Sequence, residues 1–250
     1  MTSEPYYADA TTTLYLGDMR DIVPRLDPVD LVLADPPYAE TALAWDRWPD
    51  GWPTLAARAS RSMWCFGSMR MFLARADEFG AWAMSQDVVW EKHNGSGFAG
   101  DRFRRVHEHA VHWYRGPWAE IHHQVPIVPH DGPDRGTRRA ARAGAAHLGA
   151  NNGHDRPWLD NGTRLTKSVI PVRSMHGRAI HPTEKPTAIL TPLIEYGCPP
   201  GGTVLDPFAG SGSTALAARL LGRRAVLIEG DERYCDAIAR RLSQLDLFAT

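Results

Sequence analysis

The chain has 250 residues, 43% of them hydrophobic and 23% charged, and a formal net charge of −1. That length suits one α/β domain, or a domain carrying a large insertion, and a second full domain is not expected. No apolar run approaches the roughly 18 residues of a membrane span, and the first residues show neither the basic flank nor the apolar stretch of an export signal, so no membrane partner and a cytoplasmic location are expected.

Over the first 115 residues, short β-rich runs alternate with helical patterns, which predicts strand-helix-strand units around a mostly parallel sheet. "TLYLGD" reads as a strand, "MRDIVPRL" as a short helix and "DLVLADPP" as a second strand. "WPTLAARAS" is helical, "SMWCFG" a strand, "RMFLARADEFG" a helix, and "SQDVVWEK" and "HEHAVHWYR" two further strands. From Gly116 to about residue 180 the text is rich in Pro, Gly, His, Asn and Arg, and no ordered element is predicted. The α/β rhythm then resumes with "TAILTPLIEYG" as a helix, "GTVLDPF" as a strand, "SGSTALAARLLG" as a helix, "RAVLIEGD" as a strand and "ERYCDAIARRLSQL" as a helix. The expected division is therefore 1–115, an insert over 116–180, and 181–250 completing the first domain.

Cys65, Cys198 and Cys235 are odd in number and widely spaced, without the close pairing of zinc or redox motifs, and read as reduced thiols. His107, His109 and His112 crowd "VHEHAVHWY", but on a strand the first two share one face and the third takes the other, and the helical zinc motif HExxH is incomplete, so no metal site is expected. Charge is unevenly spread. Asp101 to Ile180 hold 13 basic against 7 acidic residues, the rest of the chain 15 against 22. A positive insert on a negative scaffold is the pattern of a polyanion partner, with a solvated basic loop as the plain alternative. Within the insert Arg135, Arg138, Arg139 and Arg142 fall at helical spacing, where one face would carry four guanidinium groups toward DNA. Gly136 and Gly144 weaken a helix, and a basic loop that orders on DNA fits equally.

"LVLADPPYAE", Leu31 to Glu40, begins as a buried strand and ends in an acid, two prolines and a tyrosine. Adjacent prolines cannot donate to a ladder and hold φ near −65°, so the strand stops here in a stiff turn presenting Asp35 and Tyr38. In "TVLDPFAGSGSTALAARLLG" a β-branched strand runs into a glycine turn and a helix opened by Ser213 or Thr214. Gly210 and Gly212 let the backbone pass close beneath a ligand, although a tight strand-to-helix turn needs glycine on structural grounds alone. The next strand ends in Glu229, about twenty residues on, where nucleotide-binding sheets place the acid that accepts from ribose hydroxyls. The pyrophosphate spacing GxGxxG is missing, which points to an adenosine cofactor without phosphates.

Asp35-Pro36-Pro37-Tyr38 followed by Phe208-Ala209-Gly210-Ser211-Gly212 resembles the amino-methyltransferases that modify exocyclic nitrogens of DNA bases. The order, catalytic tetrapeptide first, variable insert next, glycine motif last, resembles their permuted β group, in which the insert is the target-recognition region. "AIHPTEKPTAIL", "GDM" at Gly17 to Met19 and "VVWEKHNGSG" have family-like counterparts, so the resemblance covers most of the chain outside the insert. It implies an α/β fold with a mostly parallel Rossmann-like sheet, helices on both faces and an irregular inserted target-recognition region. It also implies S-adenosylmethionine as cofactor and double-stranded DNA as partner, with residues 1–115 the catalytic half and 181–250 the cofactor half. Asp35 and the Pro36 carbonyl would accept the two N–H groups of the target amine, Pro37 would fix that carbonyl, and Tyr38 would stack on an extruded base. Asp18, Lys185, Asp206, Phe208, Gly210, Gly212 and Glu229 are the implied cofactor residues. Asp18 reads equally well as a helix cap and Phe208 as core; "HPTEKP" has a plainer reading as a turn and helix start, and Trp45 and Trp48, which could hold the extruded base or fill the gap it leaves, read more readily as core.

The acid at the first position of the tetrapeptide leans toward adenine N6 over cytosine N4 in this family, and RNA or protein-glutamine methylation and a binding protein without catalysis are the other readings. "QLDLF", with Gln244, Leu245, Leu247 and Phe248, resembles the pentapeptide that docks on the bacterial sliding clamp, while Ile238, Leu242 and Leu245 also fit one helical face. Pairing of two copies as a homodimer is compatible with this reading.

Overall fold

A computed structural model of the chain describes residues 4–43, 45–96, 100–129, 162–175, 180–181 and 183–246. The chain divides into two compact units, Met1–Gln124 with Ser168–Thr250, and Val125–Lys167. The described elements begin with β1 (Tyr7–Ala8), β2 (Thr12–Leu16), α1 (Met19–Ile22), β3 (Leu31–Ala34), α2 (Trp52–Ala59), β4 (Ser62–Gly67) and α3 (Met69–Ala74). They continue with β5 (Ala83–Ser96), β6 (Arg105–Tyr114), β7 (Ile127–Pro129), β8 (Thr163–Leu165), β9 (Val169–Pro171), α4 (Thr187–Gly197), β10 (Thr203–Asp206), α5 (Ser213–Leu220), β11 (Arg224–Glu229) and α6 (Glu232–Asp246).

Among the described residues, the larger unit is built on a nine-stranded sheet in the order β1-β2-β11-β10-β3-β4-β6-β5-β9. The five strands from β2 to β4 run parallel. β3 and β4 are buried along their whole length, which is why "LVLA" and "SMWCFG" read as nearly continuous apolar runs rather than alternating ones. Helices cover both faces. Leu190 and Ile194 of α4, Ala215 of α5 and Ile238 and Leu242 of α6 pack on one, and Ile22 of α1, Trp52 and Ala56 of α2 and Phe72 of α3 on the other.

The central neighbours β3 and β10 lead to opposite faces. The chain leaves β3 through α2 toward β4 and leaves β10 through α5 toward β11, so their carboxyl ends diverge and open a crevice between them. Such a switch point is where open α/β sheets bind ligands.

Several expectations are refined. The helix expected over 70–80 stops at Ala74 and continues as a 3-10 turn from Ala76 to Phe79. The hairpin of β5 and β6 is longer than the sequence suggested, and β9, inside the expected insert, pairs in parallel with β5 as an edge of the main sheet. A three-residue strand so short shows no periodicity of its own. The smaller unit, 125–167, is accordingly narrower than 116–180; its described part is an antiparallel pair, β7 with β8, with Ile127 and Leu165 exposed.

Candidate active site

A cleft of about 1300 Å³ lies over the carboxyl ends of the parallel strands and is lined by Asp35 and Tyr38 from the turn after β3, and by Asp206 and Gly210 from the turn after β10. Asp18, Lys185, Phe208 and Glu229 line it too. The two stretches that the sequence singled out, about 170 residues apart, therefore open onto one space.

At one end, buried charge is concentrated. Lys185 Nζ lies 2.5 Å from Asp35 Oδ2 and 3.7 Å from Glu108 Oε1. Lys92 Nζ lies 2.8 Å from Glu108 Oε2. Tyr38 Oη lies 2.8 Å from Asp35 Oδ1 and 2.7 Å from Glu108 Oε1, so one hydroxyl proton is shared between two carboxylates. Burial alone would push the Glu108 carboxyl up, but Lys185 and then Lys92 outweigh it and bring it down to about 2. Burial likewise disfavours the Lys185 ammonium, and Asp35 and Glu108 reverse this, so Lys185 stays charged. The Tyr38 hydroxyl, buried between two anions, is pushed well up and keeps its proton.

The turn that carries the tetrapeptide is held from behind. Asp46 accepts from the N–H groups of Ala39, Glu40 and Thr41 at 2.8, 3.0 and 2.7 Å, which fixes Ala39 at φ 57°, a left-handed conformation rare outside glycine. Lys185 is positioned by its neighbour Glu184, whose carboxylate accepts from Ile180 N–H at 2.7 Å, Arg241 Nη1 at 3.0 Å and Ser213 Oγ at 3.3 Å. These bonds tie "HPTEKP" to the start of α5 and to α6.

At the other end the glycine turn wraps the end of β11. Gly210 N–H donates to Glu229 Oε2 at 2.8 Å, and Asp231 N–H to Glu229 Oε1 at 2.9 Å. Each oxygen keeps a second lone pair for a ligand hydroxyl. Gly210 and Gly212 have φ of 53° and 74°. Asp206 accepts from Thr214 Oγ1 at 2.5 Å and Phe208 N–H at 3.0 Å, yet burial still raises it to about 7. Asp18 caps α1 by accepting from Arg20 N–H at 2.8 Å and holds the Arg20 guanidinium; Asp231 holds Arg233 in the same way. Arg20 and Arg233 are thus paired with their own aspartates, and Glu229 offers its remaining lone pairs to a ligand. Such acceptor oxygens suit ligand hydroxyls, as on a ribose, and do not suit a phosphate.

A family model for N6/N4 methyltransferases, described as DNA methylase, matches residues 29–240. The chain belongs to this DNA methylase family. It is 24% identical over 273 residues to the type II methyltransferase M.HinfI of Haemophilus influenzae, covering 95% of this chain and 70% of that protein. A 67-residue stretch is 54% identical to YubD of Escherichia coli, covering 27% of this chain and 30% of that one. Among solved structures, the M1.HpyAVI complex with SAM superposes at a TM-score of 0.63 with 21% identity, over 92% of this chain and 99% of that chain. The cytosine-N4-specific PvuII DNA methyltransferase superposes at 0.63 with 15% identity, over 95% and 88%. Both likenesses are of fold.

Within this DNA methylase, the residues expected from sequence fall as follows. Asp35, Pro36, Pro37 and Tyr38 and the seven expected cofactor residues belong to the same unit; Tyr38 has its hydroxyl pinned to two carboxylates, and Lys185 sits at the Asp35 end. Phe208 meets Trp52 edge to face at 5.3 Å, and Trp48 is core, donating from Nε1 to Glu78 Oε1 at 2.7 Å. Trp45 stays exposed near His181. Arg135, Arg138, Arg139 and Arg142 lie outside the described residues, as do Leu247 and Phe248 and the side chain of Leu245; Gln244 is exposed on α6. Glu108, Lys92, Asp46 and Glu184 were not singled out. Glu108 had a legible signal: on β6 it shares a face with Ala110 and His112, so an acid stands on the strand's apolar side.

Proposed function

We propose that this DNA methylase transfers a methyl group from S-adenosylmethionine to the N6 amine of adenine in a specific duplex sequence, acting on a base rotated out of the helix. The observation that carries the reading is the single cleft shared by Asp35 and the Gly210 turn. S-adenosylmethionine supplies a methyl already activated on a cationic sulfur. The chain's task is alignment and a change in the amine, whose lone pair is otherwise drawn into the ring. Asp35 and the Pro36 carbonyl accept its two N–H groups and turn the lone pair out of the ring plane. Pro37, without an N–H, holds the carbonyl direction, and Tyr38 supplies a ring face for the base. Glu229 and Asp206, with the glycine turn, hold the cofactor, together with Asp18 and Phe208.

Adenine is favoured over cytosine N4 by the acid at position 35, since serine is commoner there in cytosine-specific relatives. Digesting methylated duplex DNA to nucleosides and weighing them decides the base: N6-methyladenine is expected, and N4-methylcytosine alone would overturn the choice. The inserted unit, 125–167, with its arginines, is the proposed target-recognition element. The segment from Gln244 to Phe248, whose first three residues end α6, is proposed to dock on the sliding clamp, and deleting residues 244–250 should abolish co-purification with the clamp and spare methylation.

A further inference from the structure

Four charges at the base end of the cleft alternate in sign: Asp35, Lys185, Glu108, Lys92. Their contacts are 2.5, 3.7 and 2.8 Å in that order. The two inner members, Lys185 and Glu108, are nearly inaccessible, at 8% and 6% side-chain exposure. Aromatic rings lie against both lysines, with Lys185 Nζ 5.0 Å from the centre of Phe66 and Lys92 Nζ 4.4 Å from that of Trp90. In such surroundings one uncompensated charge acts over several ångströms with little screening.

We infer that Glu108 is a positioning residue for methyl transfer: with Asp35 it balances the charges of Lys185 and Lys92, so that the four groups together present no net positive charge to the target amine. The inference rests on the reading of the cleft as a site of amine methylation. An amine that accepts a methyl passes from neutral to cationic until it sheds a proton, so a net positive surround slows the step and a neutral or negative one favours it. With Glu108 neutral, Lys185 has Asp35 as its remaining partner in this chain of charges. Asp35 then spends its carboxylate on the ammonium rather than on the amine N–H, and Lys92 adds an unbalanced charge. Glu108 also shares the Tyr38 hydroxyl with Asp35, which leaves Asp35 Oδ1 free to exchange that bond for the amine when a base arrives.

The test is a charge-restoring cycle of Glu108→Gln, Lys92→Gln and the double variant. Single-turnover methylation of duplex DNA should fall about tenfold or more in Glu108→Gln and recover to within about threefold of the parent in the double variant, where the formal charge is again zero. A second readout needs no turnover. S-adenosylmethionine and S-adenosylhomocysteine differ at the sulfur by one methyl and one positive charge, so the ratio of their dissociation constants reports the field at that point. Glu108→Gln should weaken the cationic ligand several-fold against the neutral one, and Lys92→Gln added to it should restore the ratio. A rate within twofold of the parent in Glu108→Gln, or a double variant no faster than the single one, would overturn the inference. Should Glu108→Gln fail to fold, the double variant carries the decision alone, because a structural role predicts that it too is slow. A parent chain that binds both ligands and methylates no DNA would count against the functional reading, while the binding ratio still decides Glu108.

Discussion

Lys185 Nζ reaches Asp35 Oδ2 across 150 positions of sequence, at 2.5 Å. The contact joins the segment before α4 to the turn after β3 and gives the carboxylate a buried cation. Replacing Asp35 with Asn keeps the shape and one acceptor but removes the charge that faces the amine. Methyl transfer should fall at least about a hundredfold, the scale seen when one charge-stabilising group leaves an active site. Binding of S-adenosylhomocysteine, measured calorimetrically, should change little, because the cofactor end of the cleft is built from other elements. Equal loss of binding and rate would place Asp35 in cofactor binding.

Gly210 and Gly212 share a left-handed conformation and face different things. A Cβ on Gly210 would come within 3.4 Å of the His181 ring in the cleft, and one on Gly212 would come within 3.0 Å of Ile238 in the core. Both alanine variants carry the strain of an L-residue at positive φ, about 1 kcal/mol. Gly210→Ala should therefore weaken S-adenosylhomocysteine binding more than it lowers the melting temperature. Gly212→Ala should do the reverse, with a loss of several degrees by calorimetry as Ile238 is displaced. Matching effects in the two variants would refute the division.

The elements that were legible are those whose cause is local. "SMWCFG" and "TAILTPLIEYG" become β4 and α4 with the expected limits because burial and periodicity act within each run. The cleft was legible because two prolines and two positive-φ glycines mark strand ends that must do something other than continue. What was hidden depends on pairing across the sheet. Glu108 becomes central when β6 aligns beside β4, and Lys92 when β5 pairs with β6, setting Glu91 opposite His107 and Trp90 opposite Glu108. Asp46 escaped notice because three backbone N–H groups converge on it only once the tetrapeptide turn has formed.

Two buried groups pull the pH dependence of stability in opposite directions. His112 is fully buried between Ser62 Oγ at 3.0 Å and Ser85 Oγ at 2.6 Å, and burial lowers it to about 3. Unfolded histidine takes a proton below about pH 6.5, so between about 6.5 and 3 the unfolded state binds more protons and stability drops as pH falls. Asp206, raised to about 7, keeps its proton in the folded state where unfolded aspartate loses it near pH 4, so stability drops as pH rises through that window. Between about pH 4 and 6.5 the two offset each other. Asp206→Asn should make stability climb with pH there relative to the parent, and His112→Gln should make it fall, each by up to about 1.4 kcal/mol per pH unit. Urea unfolding of the ligand-free chain at pH 5, 6 and 7 measures this, and parallel curves for parent and variants would contradict it.

Tyr38 has two functions to separate, a ring that holds a base and a hydroxyl that bridges Asp35 and Glu108. Tyr38→Phe keeps the ring and removes the shared proton, leaving two carboxylates that Lys185 and Lys92 still balance. Its single-turnover rate should stay within about tenfold of the parent, in line with the loss of one hydrogen bond from a neutral hydroxyl to a charged acceptor. Tyr38→Ala removes the stacking surface, worth about 1–3 kcal/mol per base, and should lose about ten- to hundredfold in addition. With 2-aminopurine at the target position, Tyr38→Phe should keep the fluorescence rise that accompanies extrusion, and Tyr38→Ala should change its size, since the ring that quenches or orders the base is gone. If Phe were as damaging as Ala, the hydroxyl bridge, and not the ring, would be what Tyr38 contributes.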